Sequence, residues 1–192
     1  MKRIFTQLLL IFTFFFYYSI PTLAADTYTL DPNHTYVLWH ISHFGYSYPS
    51  GKWMAQGTLI LDEANPQNSK VNVTIDINNL TTGIKDLDEH LKSPLFFDVK
   101  QYPTATFVSD KVVVTGKNTA QVHGTLTLHG VTKPITLNVT FNKAGISPIT
   151  NKKTVGFSAT TDLMRSDYGI TTLLPGISDD VKIDIEAEAY LT

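Results

Sequence analysis

The sequence predicts an all-β fold, a single eight-stranded antiparallel barrel with one short helix near one end. Apolar and polar residues alternate along most of the chain, which is the period of a strand with one buried face. The alternating runs follow one another in hairpin order, and no strand–helix–strand repeat indicates a parallel sheet. Runs of up to about ten residues are typical of an up-and-down barrel, which leaves no exposed sheet edge.

Each strand is recognised from this alternation. The clearest run contains Val71, Val73, Ile75 and Ile77, separated by polar residues. In chain order the predicted strands cover residues 36–43, 53–61, 71–78, 105–109, 112–115, 121–128, 135–141, 155–163 and 181–189. Glycine, proline and asparagine between the runs predict turns. The runs amount to eight or nine strands, and an eight-stranded barrel holds either one small ligand or only its own side chains.

One stretch breaks the alternation and predicts the helix, at about residues 84–92. Ile84, Leu87 and Leu91 recur at helical spacing, and Pro94 prevents continuation of the helix. Acidic residues come early in this stretch and basic residues late, which suits the helix dipole. A single helix among strands must cross a sheet or close the end of a barrel, so we expect a lid, a mouth or a plug there.

The first 24 residues are predicted to be a secretory signal peptide. Lys2 and Arg3 precede an apolar run at residues 8–18, and Thr22-Leu23-Ala24 has the small residues of a cleavage site. An uncleaved anchor is the less favoured alternative, because the run is too short to span a bilayer comfortably. We therefore expect residues 25–192 to form one domain outside the cytoplasm.

The charge and the cysteine content limit the partners. Without Lys2 and Arg3, 13 of the 15 basic residues remain against 17 acidic ones, a net charge of −4. A mildly acidic and evenly mixed surface argues against nucleic acid and anionic membranes as partners. No later segment reaches about 18 apolar residues, so no stable membrane insertion is expected. The absence of cysteine excludes disulfides and thiolate metal sites.

No pattern in the chain predicts catalysis or a metal site. His40 and His43 are three apart, which places them on opposite faces of a strand, and the other histidines lie in different elements. The chain lacks a nucleophile-elbow motif and a glycine-rich phosphate loop. The protein is therefore expected not to be an enzyme and to need no metal or cofactor.

The large inward side chains leave two interpretations of the barrel interior. Trp39, Trp53, Phe107 and Phe157 either pack together as a filled core or line a pocket for an elongated apolar ligand. Periodicity does not decide between them.

A set of short motifs, in a fixed order, resembles the YceI-like family over essentially all of residues 25–192. The motifs are Leu30-Asp31-Pro32-Asn33-His34-Thr35, the Val37-x-Trp39-x-Ile41-x-His43 strand, Gly51-x-Trp53, the stretch from Asp88-x-His90-Leu91 through Phe96-Phe97-Asp98 to Tyr102-Pro103, Gly124-x-Leu126-Thr127, Gly130-x-Thr132-x-Pro134, Gly156-Phe157 and Arg165-Ser166-x-Tyr168-Gly169. The departures are conservative, for example Thr35 in place of the usual serine.

The resemblance implies a lipocalin-like barrel, exported to the periplasm, that carries a polyisoprenoid, an isoprenoid quinone or a similar long-chain amphiphile in its lumen. The residues expected to bind this ligand are Val37, Trp39, Ile41, His43, Trp53, Leu59, Val73, Ile75, Phe96, Phe97, Phe107, Leu126, Phe157, Leu163, Arg165, Ser166 and Tyr168. Among them, His43, Arg165, Ser166 and Tyr168 are the expected head-group donors at the mouth. Arg165 has an alternative role as an ion-pair partner of Asp98 or Asp167, and His43 as a donor to a backbone carbonyl.

A second hypothesis is a filled β-barrel that acts as an interaction or stress-response module, or as an accessory to a membrane cytochrome. It predicts no internal cavity and an exposed apolar patch near Tyr46–Tyr48. A homodimer is one option for the oligomeric state, which the sequence does not decide.

Overall fold

The structure, a computed structural model, describes residues 25–192 as nine antiparallel strands and one α-helix. The predicted signal peptide, residues 1–24, lies outside the described residues. The strands are β1 (Asp26–Leu30), β2 (Tyr36–His43), β3 (Ser50–Leu61), β4 (Lys70–Asp76), β5 (Thr104–Val114), β6 (Thr119–Leu128), β7 (Val131–Ile146), β8 (Lys153–Met164) and β9 (Ile177–Leu191), and the helix is α1 (Lys85–Lys92). Short 3-10 turns cover Pro66–Asn68, Ile77–Asn79 and Arg165–Tyr168.

Nine strands close into an eight-stranded barrel because β1 and β2 share one position in the sheet. Tyr36 of β2 lies opposite Met54 of β3 and Glu186 of β9, whereas Tyr28 of β1 lies opposite Leu59 and Leu191 of the same two strands. The remaining strands pair in sequence order from β3 to β9. The predicted all-β barrel is thus confirmed.

The observed strands differ from the predicted ones in number and in some of their bounds. Strand β7, Val131–Ile146, is longer than the predicted run 135–141, and β4 ends at Asp76, before Ile77. Strand β1 was not predicted, because its five residues contain too little alternation for a pattern. The runs 105–109 and 112–115 are one strand, β5, in which a bulge between Ser109 and Lys111 shifts the alternation by one residue.

The helix lies at one end of the barrel, as predicted. Leu91, Phe97 and Val99 pack on the buried cluster formed there by Trp39, Trp53 and their neighbours. Asp88 fixes the start of α1, since its carboxylate accepts bonds from the backbone N–H and the hydroxyl of Thr82 at 2.7 and 2.6 Å. We call this end of the barrel, with residues 44–49, 77–103, 129–130 and 165–176, the closed end.

The opposite end carries the other strand connections, residues 62–69, 115–118 and 147–152, together with the start of β1 and the end of β9. We call it the open end. Within residues 25–192, α1 is the longest helix and is far too short and too polar to cross a membrane.

Candidate ligand-binding site

A cavity of about 460 Å³ occupies the barrel interior, within the range of small-molecule sites. It extends from Trp53 and Ile77 near the closed end to residues at the open end. Its wall is formed by inward side chains of all nine strands. Most of them are aliphatic or aromatic, such as Leu30, Val37, Ala55, Leu59, Val73, Ile75, Ala105, Phe107, Val122, Leu126, Leu137, Ala159, Ile183 and Ile185. The filled-core interpretation is therefore wrong.

Small residues keep the lumen open by letting aromatic rings lie flat on the wall. A Cβ atom on Gly124 would come within 2.7 Å of Cζ of Phe107, so the ring of Phe107 lies directly over this glycine. Gly51 accommodates the indole of Trp39 at the closed end in the same way, since a Cβ atom on Gly51 would overlap the indole ring. With larger residues at these positions, the rings would have to move away from the wall.

Two hydroxyl groups on the wall away from the rim already have backbone partners. The hydroxyl of Ser109 accepts a bond from the backbone N–H of Val71 at 2.8 Å, and the hydroxyl of Thr35 donates to the carbonyl of Glu188 at 3.0 Å. The lumen therefore favours an apolar chain over a polar ligand, because little hydrogen bonding is left for the ligand.

An aromatic group closes the inner end of the cavity. The ring centroids of Trp39 and Trp53 are 6.2 Å apart, and Phe97 contacts Trp53 edge-on at 5.2 Å. Trp53 lines the cavity, while Trp39 and Phe97 lie behind it. Both indole N–H groups are buried and have no hydrogen-bond partner among the described residues.

The cavity reaches the surface at the open end. Val114 lies on its wall, yet 48% of this side chain is exposed. The rim beside it contains Glu63, Lys70, Lys117 and Asn118. The charged side chains of the cavity lining are thus at the opening, and two of these three, Lys70 and Lys117, are cationic.

A lysine clamp holds the strands together at this rim. Nζ of Lys153 on β8 lies 3.0 Å from a carboxylate oxygen of Asp26 on β1 and 2.8 Å from one of Glu63. Its hydrogen bond to Glu63 is the largest of the interactions that raise the pKa of Lys153. This ammonium group ties β1 and the β3–β4 connection to β8.

The structure places nine of the 17 predicted residues on the cavity wall, and their role in binding stays a prediction. They are Val37, Trp53, Leu59, Val73, Ile75, Phe107, Leu126, Phe157 and Leu163. Trp39, Ile41, Phe96 and Phe97 do not line the cavity. They pack at the closed end, because α1 and the segment after it cover that end of the barrel.

The four expected head-group donors also lie at the closed end, and none of them lines the cavity. His43 follows a bulge in β2 that turns it out of the inward row, and it is exposed. The guanidinium of Arg165 is buried and donates to the carbonyls of Ile170, Thr172, Ile177 and Ser178 at 2.8–3.0 Å. Neither suggested aspartate is its ion-pair partner.

Ser166 and Tyr168 fix the same β8–β9 connection. The backbone N–H and the hydroxyl of Ser166 donate to the Asp179 carboxylate at 2.8 and 2.6 Å, and the bond from the hydroxyl is the largest cause of the lowered pKa of Asp179. Tyr168 is buried, which raises its pKa. Asp167 instead pairs with Lys133 at 2.6 Å.

The rim residues Lys70, Lys117 and Asn118 were not predicted from the sequence. The strand order alone could have placed Lys117 and Asn118 at one end of the barrel, since they form the tip of a hairpin. Within the part of the chain that the structure describes, no cluster of three histidine or acidic side chains could hold a metal ion. Several histidines have single partners, such as Asp31 for His34 and the Tyr168 carbonyl for His129.

Comparisons with known proteins agree with this architecture. A UPF0312 protein of Pseudomonas putida strain W619 is 42% identical over 170 residues, which is 86% of each chain. The crystal structure of Burkholderia cenocepacia BcnA superposes with a TM-score of 0.73 at 25% identity, covering 83% of this chain and 98% of that one. A polyisoprenoid-binding domain from Saccharophagus degradans, 19% identical, has the same fold, with a TM-score of 0.64 over 86% of this chain and 98% of its own.

The family model described as the YceI-like domain matches residues 28–189, from within β1 to within β9. The match spans the whole barrel, including both ends and every strand that lines the cavity. The chain therefore belongs to the YceI-like family.

Proposed function

We propose that this protein is a periplasmic carrier that holds a polyisoprenoid, an isoprenoid quinone or a similar long-chain amphiphile in the lumen of its barrel. The observation that carries the proposal is the cavity, which is apolar, closed by aromatic side chains at one end and open at the other. Such a site binds and shields a ligand without a catalytic group, so we propose no enzymatic activity and no cofactor.

Burial of an apolar tail supplies the binding energy. Each CH₂ group that leaves water contributes about 0.8 kcal/mol, so a few isoprene units offset the loss of translational freedom. The tail enters the lumen as far as Trp53, where the cavity ends. A flexible chain suits this elongated space better than a rigid polycyclic ligand.

The polar head of the ligand stays at the rim. Lys70 and Lys117 offer positive charge there, and Asn118 offers an amide that both donates and accepts. These groups suit a carbonyl, hydroxyl or phosphate head better than an ammonium head. They take the role that was expected from the sequence for residues of the closed end.

Two further observations support the proposal. The Saccharophagus degradans domain is described as polyisoprenoid-binding, and it shares this fold. The signal-peptide pattern of residues 1–24 supports export to the periplasm.

A second candidate function, docking on a protein partner, is favoured by an aromatic loop at the closed end. Phe44, Tyr46 and Tyr48 are exposed there, and 91% of Tyr46 is accessible. This patch was expected from the filled-barrel hypothesis, but the cavity contradicts the rest of that hypothesis. The homodimer that the sequence left open stays a prediction. If it forms through this loop, the mass in solution should fall from that of a dimer to that of a monomer in a Tyr46→Asp variant.

The carrier proposal is tested by ligand retention and by tryptophan fluorescence. Native mass spectrometry of the exported protein is expected to show a lipid-sized mass that organic extraction removes. The chain has two tryptophans, and Trp53 alone lines the cavity. Added ubiquinone should therefore change the emission of the extracted protein and of the Trp39→Phe variant, with a much smaller change in Trp53→Phe. Ligand-free protein that shows no response to ubiquinone or to isoprenoid alcohols would refute the proposal.

A further inference from the structure

The charges of this protein are segregated along the chain. Residues 111–161 contain six lysines and no aspartate or glutamate. The rest of residues 25–192 carries all 17 acidic residues against seven basic ones, a net charge of −10. The expectation of an evenly mixed surface is therefore wrong. The acid-free segment forms the end of β5, all of β6 and β7, and most of β8, which are consecutive strands of the wall.

The lysines of this segment gather at the open end. Lys133 is the exception, since it pairs with Asp167 at the closed end. Lys117, Lys143 and Lys152 lie in or beside the two open-end hairpins, and no ion pair involving them occurs among the described residues. Lys152 lies 4.0 Å from the centre of the Tyr190 ring, which leaves its charge in place. Lys70, across the opening, is also exposed and unpaired within residues 25–192.

The carboxylates at the open end are mostly engaged. Asp26 and Glu63 both bind Lys153. Asp62 is held inside its own loop by the backbone N–H of Asn65 and the side chain of Asn68, and the first of these is the main cause of its lowered pKa. Asp110 lies next to Lys111 in the chain, so their charges largely cancel. The six lysines at this end, residues 70, 111, 117, 143, 152 and 153, exceed its four carboxylates, residues 26, 62, 63 and 110, which leaves a net charge of +2. Of these lysines, Lys70, Lys117, Lys143 and Lys152 have no ion-pair partner among the described residues.

Exposed apolar side chains stand among these lysines. Ile146 and Ile149 in the β7–β8 hairpin are 63% and 89% exposed. The hairpin tip is ordered, because the backbone N–H of Asn151 donates to the Ser147 carbonyl at 2.9 Å and that of Ile149 to the Ser147 hydroxyl at 3.3 Å. Isoleucines flanked by lysines are suited to the boundary between lipid headgroups and acyl chains.

We propose that the open end docks reversibly on the surface of an anionic lipid bilayer, with Ile146 and Ile149 entering the interface and the four unpaired rim lysines facing the headgroups. The aromatic loop at the closed end is less suited to an anionic surface. The backbone N–H of its residue Phe44 donates to the carbonyl of Gly176, which is close in the chain to Asp179 and Asp180. Docking follows from the surface alone. Its purpose rests on the proposed function, because the mouth would then face the membrane from which a long-chain ligand enters.

Sedimentation with vesicles tests the charge requirement. The purified protein is expected to bind vesicles of phosphatidylcholine with phosphatidylglycerol, to bind phosphatidylcholine alone much more weakly, and to be released by salt. Each rim lysine contributes about five-fold in affinity, so the double variant Lys117→Ala/Lys143→Ala should bind about 30-fold more weakly. The matched control Lys85→Ala/Lys100→Ala removes the same charge at the closed end and should bind within about two-fold of the unchanged protein.

A second pair of variants tests whether vesicle binding requires the exposed isoleucines. Ile149→Asp should weaken vesicle binding at least about ten-fold, whereas Tyr46→Asp, at an equally exposed position of the closed end, should not. Equal binding to neutral and anionic vesicles, or equal losses in test and control variants, would overturn the docking proposal.

Native mass spectrometry of the same samples separates the docking proposal from the carrier proposal. Retained lipid without docking overturns docking alone, and docking without any bound lipid overturns the carrier function alone.

Discussion

Filling the lumen with a side chain should abolish ligand binding at little cost to the fold. Ala159 lies on the cavity wall in the middle of β8, opposite Ile185 and Val139. Ala159 packs beside Phe107, Val122 and Leu137, and in the Ala159→Phe variant we expect the ring to extend from this part of the wall into the empty lumen. We expect the free energy of unfolding of the ligand-free variant to change by less than about 1 kcal/mol, below the usual cost of overpacking.

The loss of affinity follows from the carbon atoms displaced. The ring adds about six carbons to the lumen, and at about 0.8 kcal/mol per buried carbon the displaced ligand contact is worth at most about 5 kcal/mol. The ligand recovers part of this by shifting toward the rim. A loss of about half the maximum corresponds to roughly 100-fold weaker binding of an isoprenoid alcohol or ubiquinone, measured by calorimetry or tryptophan fluorescence.

Ala189→Phe is the matched control for this variant. Ala189 also lies on an inward-facing strand position, but it is buried in the packed cluster of Tyr28, Leu30 and Val155 and does not line the cavity. The same ring there should destabilise the protein by about 1–3 kcal/mol or more in urea unfolding. Equal destabilisation by the two substitutions, or unchanged ligand affinity in Ala159→Phe, would refute the view that the space beside Ala159 is the binding site.

Three other predictions concern the ligand, the buried arginine and acid stability. The affinity for isoprenoid alcohols should rise with chain length, by no more than about 4 kcal/mol per five-carbon unit, and level off once the lumen is full; calorimetry across the series measures this, and a flat series would contradict it. Arg165→Ala should destabilise the fold by at least about 3 kcal/mol in urea unfolding, because four carbonyls lose a charged donor. The preference of the protein for one ligand head group over another should stay unchanged. A changed preference would show that Arg165 belongs to the binding site. Since hydrogen bonding from Ser166 lowers the pKa of Asp179 below 3.8, Asp179 stabilises the folded state above that pH and ceases to do so as the pH falls through the lowered pKa. Asp179→Asn should therefore lower the urea midpoint at pH 7, and the effect should shrink as the pH falls below 3.8 and through the lowered pKa. An effect that does not change with pH would contradict this assignment.

The barrel itself could be predicted because its physics is local. A strand that buries one face must alternate, and this rule found every strand long enough to show a pattern. It failed where the backbone leaves the regular ladder. Because of the bulge in β5, the alternation predicted two strands where the structure has one. The bulge in β2 turns His43 away from the inward row that contains Val37 and Trp39. Bulges leave almost no trace in the apolar pattern.

The site was predicted only in its apolar part, for a related reason. Alternation shows which side chains point inward, so Phe107, Leu126 and Phe157 were found on the wall. It does not show at which end of a barrel a polar residue lies. Arg165 and Ser166 have the composition of a head-group site, but their hydrogen bonds are satisfied by their own connection.

The lengths of the strand connections decide which end of the barrel is closed. Strands alternate in direction, so every second connection lies at the same end. The connection from β4 to β5 spans residues 77–103 and contains α1, and the one from β8 to β9 spans residues 165–176. Both are long enough to fold over the barrel, and the first brings Phe97 against Trp53. The three connections at the other end, residues 62–69, 115–118 and 147–152, are too short to cover it. The ligand entrance and the basic, isoleucine-tipped rim therefore share one end as a consequence of loop length, and shortening the 77–103 connection should open the closed end before it disturbs any strand.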